Sequence, residues 1–422
     1  MDEPRPTPPE PGLTPKQLIE RAVALRPQLI ERQAEVEERT YYSEEMHREF
    51  LDAGFYRMYV PRRYGGYEFD MPTFMRVTLE LARGCPSTAW CLSLASAHAL
   101  QIGSWFPEEA QEEIFGDGDF RCASVAAPIG PATRTDDGWE LNGQVGYASG
   151  VPYSTHYMGQ AMMPGFDPAG PPPEMLLFVA PRDQWTMLDD WGWSMGLKGS
   201  GSHSIRFDGT EIPASWGLEN TFMVDVDVSN GTPGLKLHGN PLYAGRALGG
   251  FTMTLAAAWI GAAYNALDDF ENNVRTKMTP LPPFIPRMYD PDYQRFFGGA
   301  MGKLAMVEAA LFNCADQHME LCRRSAEEGI PFTYGDDQRL GCIAREAYIH
   351  ASQTMEEFIF GPAGSSATRA GERMERMFRD IAMAAGHRNT LLRDWAFREL
   401  ACEQLGVPRD PASGNRQMVP HT

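Results

Sequence analysis

The side-chain pattern of this chain changes period twice, and that order limits the folds open to it. From Thr14 to about Ala53 apolar residues recur at helical spacing (Leu18, Ile19, Ala22, Leu25, Leu29, Ile30). Thr14-Pro15 opens the run as a cap followed by the residue best tolerated at the first helical position. Pro72 to about Arg83, Ser87 to Trp105 and Pro107 to Phe115 read as further helices. From Arg121 to about Val228 the period falls to two, with Gly, Pro and Asp as punctuation. Candidate strands there are 122–127, 139–142, 144–148, 156–162, 174–181 and 204–208, with a Gly/Pro-rich loop over 164–173. After Tyr243 the helical period returns. Leu304, Val307, Leu311, Cys314, His318 and Cys322 form one stripe, and Leu340, Ile343, Ala347, Ala351, Met355 and Phe358 form another. A last helix runs from Thr390 to Glu403. The expected class is α+β, mostly α. An arm (1–13) leads to an N-terminal helical domain (14–118) and a central β-domain of barrel or sandwich type (119–230). A C-terminal four-helix bundle (231–406) and a tail (407–422) follow.

Composition narrows the function. The chain has 422 residues and a net charge of −19, which argues against nucleic acid and anionic membrane as partners. Seven scattered cysteines show no zinc spacing and read as reduced thiols, and the acidic, proline-rich start lacks a signal peptide's basic and apolar regions. The expectation is a cytoplasmic protein. Residues 247–267 are nearly free of charge over about the length of a spanning helix. They are rich in Ala, Gly and Thr and have no basic flank, so a helix buried on all sides of a bundle is expected.

The densest local signal is Gly138-Trp139-Glu140-Leu141-Asn142-Gly143-Gln144-Val145-Gly146-Tyr147-Ala148-Ser149-Gly150. Asn-Gly between alternating runs predicts a β-hairpin turning at Asn142-Gly143. Its second strand ends on Ser149-Gly150, either an ordinary turn or a hydroxyl beside a flat, polar ligand. Gly196 to His203 (GLKGSGSH) is either a plain loop or a cradle of backbone N–H groups for a phosphate or a flavin edge. His98 lies in an apolar helical run and reads as a core residue or a catalyst, and His318 reads as core. His387 precedes the last helix, where a dipole disfavours imidazolium and a neutral base is possible. No Walker loop, HExxH, GxSxG or strand-linked GxGxxG is present.

Taken in order, several segments resemble the acyl-CoA dehydrogenase fold. They are Tyr64-Gly65-Gly66, the run ending in Ser149-Gly150, Trp193 to Ser204, Phe360-Gly361-Pro362-Ala363-Gly364-Ser365, and Met377-Phe378-Arg379-Asp380. Within that superfamily the chain is similar to flavin-dependent monooxygenases of two-component systems. These include hydroxylases of 4-hydroxyphenylacetate or of a steroid-derived phenol, and the dibenzothiophene monooxygenase. Pro86-Ser87-Thr88-Ala89-Trp90 with Ser96-Ala97-His98 carries this likeness, as do Gly143 to Gly150 and Arg379-Asp380 with Gly386-His387. Val145 departs from it, since Trp is common there.

The resemblance implies a homotetramer that takes reduced flavin (FMN or FAD) from a separate reductase. The flavin lies between β-domain and bundle, with help from a neighbouring subunit, and oxygen adds at its C4a. It implies Ser149 near flavin N5, His387 transferring protons, and His98 holding or deprotonating the substrate's hydroxyl. Trp90, Ser124, Pro128, Gly150, Ser200, Ser202, His203, Gly361, Gly364 and Ser365 are implied around the flavin. Arg246 faces the flavin or a substrate anion, or forms a surface salt bridge. The competing expectation is an acyl-CoA dehydrogenase with bound FAD. Many of those carry a Glu just beyond the Arg-Asp pair, whereas Ala384 to Asn389 contains no acid. An N- or S-oxygenase and a non-catalytic binding protein of the same fold remain as further alternatives.

Overall fold

The computed structural model describes residues 6–116, 118–164 and 174–407. The first residues of the expected arm, most of the 164–173 loop and nearly all of the tail lie outside them. Six helices come first: α1 (Pro15–Arg39), α2 (Glu44–Ala53), α3 (Met71–Ala82), α4 (Pro86–Ala97), α5 (Ala99–Trp105) and α6 (Glu108–Phe115). Thr14 and Gln17 form a reciprocal capping box on α1, satisfying donors that would otherwise be orphaned. The run expected as one helix over 87–105 breaks at His98 into α4 and α5.

Seven strands follow: β1 (Cys122–Arg134), β2 (Gly138–Val145), β3 (His156–Met162), β4 (Met175–Pro181), β5 (Thr186–Met187), β6 (Ile205–Pro213) and β7 (Gly217–Leu218). They form one sheet in the order β5-β6-β2-β1-β3-β4-β7. The β1–β3 pair is parallel and the other pairs are antiparallel.

The expected hairpin at Asn142-Gly143 is corrected here. β2 runs unbroken through Asn142-Gly143 and pairs with β6 from Gly138 to Val145, with a register shift between Leu141 and Asn142. The hairpin is the preceding one, closed between Arg134 and Gly138, where Thr135 N–H donates to the Gly138 carbonyl. Asn142-Gly143 instead marks a bulge where two strands cross closely. A Cβ on Gly143 (φ +130°) would lie 2.1 Å from the Ile129 carbonyl oxygen, and one on Gly130 would lie 2.4 Å from that of Asn142. The Asn142 side chain accepts from Gly209 N–H at 2.7 Å, which holds the bulge against β6.

The rest is helical: α7 (Pro233–His238), α8 (Leu248–Thr276), α9 (Pro291–Glu328), α10 (Tyr334–Thr354), α11 (Gly361–Ala363), α12 (Arg373–Gly386), α13 (Arg388–Leu391) and α14 (Arg393–Gln404). α8 is the central rod, buried on nearly every face against α3, α4, α9, α10 and α12. Its small residues permit this: a Cβ on Gly261 would meet the Leu79 carbonyl at 2.4 Å. The N-terminus of α8 is capped from α10, where Asp337 accepts from the N–H groups of Leu248 and Gly249 at 3.0 and 2.7 Å. Among the described residues, no helix is long and apolar enough to cross a membrane.

Candidate active site

Two helices frame the site. On α4 and at its end, Trp90, Leu94 and His98 are spaced by four and share one face; on α8, Phe251, Leu255 and Trp259 do the same. The helices run antiparallel, because Trp90 meets Trp259 (ring centroids 4.8 Å) and His98 meets Phe251 (5.9 Å). Eight helical residues separate the two ends by ~12 Å.

At the Trp90 end, three of the anticipated residues come together. The Trp90 indole N–H donates to Ser149 Oγ at 3.0 Å, and the His387 ring stands edge-on to Trp90 and Trp259 at 5.6 and 5.3 Å. Ser149 reaches α4 because Gly150 takes φ +83° and lies so close that a Cβ there would sit 2.6 Å from the Cys91 carbonyl. Ser149 Oγ lies 2.7 Å from Ser202 Oγ, which lies 2.6 Å from Ser200 Oγ. The indole can only donate, so one lone pair of Ser149 is taken and its proton is left for Ser202 or for a ligand. His203 backs this row of hydroxyls. Its Nε2 lies 3.1 Å from Thr40 Oγ1, and its buried Nδ1 has no hydrogen-bond partner in the structure.

The Trp193–Ser204 segment is held from two sides. Leu197 N–H donates to Asp380 Oδ1 at 2.6 Å, Arg379 donates to the Met195 carbonyl at 2.8 Å, and Gly196 fits where a Cβ would collide with the Arg379 carbonyl at 2.1 Å. Glu37 of α1 pairs with Arg376 and Arg379 at 2.7 Å each. Arg379-Asp380 therefore positions the serine loop and stands back from the chemistry. Burial pushes the Asp380 carboxyl up to about 7, against the opposing pull of Leu197 N–H and Arg379. A carboxyl raised in this way contributes its full stability below about pH 4, where the unfolded chain is also protonated, and loses it as the pH climbs towards 7. Asp380→Asn, which keeps an acceptor for Leu197, is thus expected to match the wild type in acid and to unfold at higher urea at pH 8. Asp380→Ala should be ~1–3 kcal/mol less stable than Asp380→Asn at either pH, because the Leu197 donor is left buried without an acceptor. Urea melts at the two pH values check both.

The two histidines carry opposite tautomers. Nδ1 of His98 lies 2.7 Å from the Cys122 carbonyl, which can only accept, so Nδ1 bears the proton and Nε2 is the acceptor. Nδ1 of His387 accepts from Asn389 N–H at 3.2 Å, so in the neutral ring Nε2 bears the proton and is the donor. Burial pushes both down to about 4, so both are neutral at pH 7. His387 does stand at a helix N-terminus, as the N-cap of α13, but that helix has four residues and burial is the operative cause.

The other anticipated residues scatter. Ser124 is half-buried on β1, and its hydroxyl meets Met223 Sδ at 3.7 Å. Pro128 lies further along β1, where its register with β3 shifts. Arg246 is neither a surface salt bridge nor unpaired: it is buried, with Nη2 2.5 Å from Asp225 and Nε 3.9 Å from Asp337. Gly361, Gly364 and Ser365 do not join the Ser149 cluster within one chain. Tyr348 touches Trp259 at 4.7 Å, and the thirteen helical residues from there to Gly361 span ~20 Å. Two surface depressions, one lined by Trp105, Glu219 and Thr232 and the other by Asn230, Ser325 and Pro331, include none of the anticipated residues.

Sequence reading missed Trp259, which looked like filler in an apolar helix; its spacing of eight from Phe251 was the available signal. It also missed the aromatic surface beside Ser149. Tyr147 is 71% exposed and Trp193 92% exposed, and Tyr147 packs edge-on against Trp191 at 5.6 Å. Tyr147 stands two residues before Ser149, so exposed aromatic area lies close in the chain to a buried hydroxyl.

Comparison with known proteins places the chain. The description of the acyl-CoA dehydrogenase N-terminal domain matches residues 19–115, and that of the C-terminal domain matches residues 253–391. Together they span more than half of the chain, which belongs to the acyl-CoA dehydrogenase family. It is 28% identical to the flavin-dependent monooxygenase, oxygenase subunit HsaA, of Rhodococcus jostii (strain RHA1), over 87% of this chain and 93% of that protein. It is 24% identical to the p-hydroxyphenylacetate 3-hydroxylase, oxygenase component, of Acinetobacter baumannii, over 95% of this chain and 92% of that one. The structure of XiaF from Streptomyces in complex with FADH2 and glycerol superposes with a TM-score of 0.83 at 21% identity, covering 97% of this chain and 98% of that one.

Proposed function

We propose that this chain is the oxygenase component of a two-component flavin-dependent monooxygenase that hydroxylates a small phenolic or aromatic substrate. The observation that carries the reading is the pair of neutral histidines with opposite tautomers at the two ends of one wall, with no charged group acting on His387. An acyl-CoA dehydrogenase needs a free carboxylate to take an α-proton; none acts on His387, and Asp225 at the His98 end is paired with Arg246. The names of the curated relatives, oxygenase subunits and components, support the same reading and imply a separate reductase.

The residues present fit a flavin. A flat ring with a polar edge matches the row of Ser149, Ser200 and Ser202, with exposed Tyr147 two residues before Ser149 and the orphaned Nδ1 of His203 behind the row. When bound in its reduced form, the flavin supplies the activation of O2. Trp90 and Trp259 exclude water from the inner side. Ser149 would hold the edge of the flavin ring, and His387 Nε2–H would serve as a proton donor on the same side. His98 Nε2 accepts the hydrogen bond of a substrate hydroxyl and so orients the ring and raises its electron density. Gly361, Gly364 and Ser365, distant from Ser149 in one chain, would meet the flavin of a neighbouring copy in a homotetramer.

Rapid mixing of the anaerobic chain, reduced FMN or FADH2 and a panel of phenols with ¹⁸O2 tests the proposal. One labelled oxygen in the product is expected. Bleaching of bound oxidised FAD by an acyl-CoA thioester, with no oxygen incorporated, would overturn it. In the same assay Ser149→Ala is expected to raise H2O2 release per product by several-fold, the size of one lost hydrogen bond of about 1 kcal/mol. An unchanged ratio would leave Ser149 as a structural hydroxyl.

A further inference from the structure

The His98 end is closed by a ring of contacts that returns to its start. His98 bonds the Cys122 carbonyl, and two residues along β1 Ser124 meets Met223. Two residues beyond Met223, Asp225 pairs with Arg246. Arg246 leads into α8, where Phe251 returns to His98. The segment around Met223 thus straps β1 to the head of α8, and Asp225–Arg246 is its fastening. Of the partly exposed side chains around the ring, Leu94, Ser124, Val125 and Phe251 are uncharged and Asp225 carries the charge.

The electrostatics of that fastening are one-sided. Arg246 is the lone cation in the ring, and three carboxylates act on it: Asp225 at 2.5 Å, Asp337 at 3.9 Å, and Asp227, whose carboxyl is held below its usual range by the Ser229 N–H and hydroxyl and, to a smaller extent, by Arg246. The Tyr334 ring covers the guanidinium at 5.8 Å. Asp225 takes the hydrogen bond of Nη2, Asp337 faces an Nε that makes no hydrogen bond, and the excess of carboxylates over the one cation repels an incoming anion.

We propose that Asp225 and Arg246 set the charge specificity of the arene site, so that the chain takes an uncharged hydroxyarene and turns away arene carboxylates. This rests on the oxygenase reading and deepens it. The hydroxyl is recognised by the acceptor Nε2 of His98, and the remainder of the ring system meets apolar walls.

The test compares 4-hydroxyphenylacetate with 4-hydroxyphenylacetamide, which match in size and differ by one charge. Binding to the full chain, with and without reduced FMN under anaerobic conditions, is read from tryptophan fluorescence near pH 7. The amide is expected to bind the wild type at least ~10-fold more tightly than the carboxylate. Asp225→Asn should move that ratio at least ~10-fold towards the carboxylate, Asp225→Glu should keep it, and Asp225→Asn with Arg246→Gln should cancel the gain. The ratio is indifferent to a general loosening of the strap, which would weaken both ligands alike. Equal binding of the two ligands to the wild type, an unmoved ratio in Asp225→Asn, or no saturable binding of either ligand to any variant would overturn the proposal. Correct binding ratios with no labelled oxygen in any product would instead overturn the oxygenase reading and leave the charge specificity standing.

Discussion

His387→Ala is expected to lower hydroxylation by about 10²-fold or more while the chain still folds. The ring is a proton donor at the Trp90–Trp259 end, and its Nε2–H is fixed in place because Nδ1 is committed to Asn389 N–H. A second variant separates that role from capping. Asn is a good N-cap residue and can accept from Asn389 N–H, but it cannot move a proton as imidazole does. His387→Asn should therefore keep the wild-type urea midpoint and lose hydroxylation as Ala does. Full activity in His387→Asn would make the residue a cap and nothing more. The pH profile gives a further check. Both histidines are held down to about 4 by burial, so the rate should not follow an ordinary histidine titration near 6.5. The sign for stability follows from the same shift. The unfolded chain takes up these protons first, so the folded state loses stability as pH falls from about 6.5 towards 4.

What could be read from the sequence depended on whether a signal was local. Thr14-Pro15 and the apolar spacing behind it are local, and the capping box and α1 stand where they were expected. The change of period after Arg121 marks the sheet for the same reason. Asn142-Gly143 failed because glycine serves two purposes: it permits a tight turn, and it permits close approach of two backbones. Which purpose applies is decided by Gly130 and Ile129, on another strand. His98 read as a helix-interior residue because a kink leaves no mark on apolar periodicity; the break reflects a bond to Cys122, which is distant in sequence. Ser149 was visible as a hydroxyl at a strand end, but its link to Trp90 spans fifty-nine positions. Arg246 shows the limit most clearly. Its partners Asp225 and Asp337 sit on different elements, so no local pattern could tell an anion receptor from a neutralised cation.

Trp90→Ala is expected to cost ~3–5 kcal/mol. Trp90 is 4% exposed and fills the space between α4, α8 and the start of α13, touching Trp259 at 4.8 Å and His387 at 5.6 Å. Truncation leaves a cavity that the two helices cannot close, because Gly150 already brings the serine loop against α4 at Cys91 and Ala95. Trp90→Phe separates packing from hydrogen bonding. It keeps most of the apolar volume and should lose no more than ~2 kcal/mol, but it removes the N–H that occupies one lone pair of Ser149. With that lone pair released, Ser149 can accept from Ser202 and donate elsewhere, or reverse its bond, and the row through Ser200 loses its fixed direction. The expected signature is therefore a nearly normal urea midpoint with more H2O2 released per product, the same direction as Ser149→Ala. Wild-type coupling in Trp90→Phe would show that Ser149 is oriented by Ser202 alone and that Trp90 acts only as a wall.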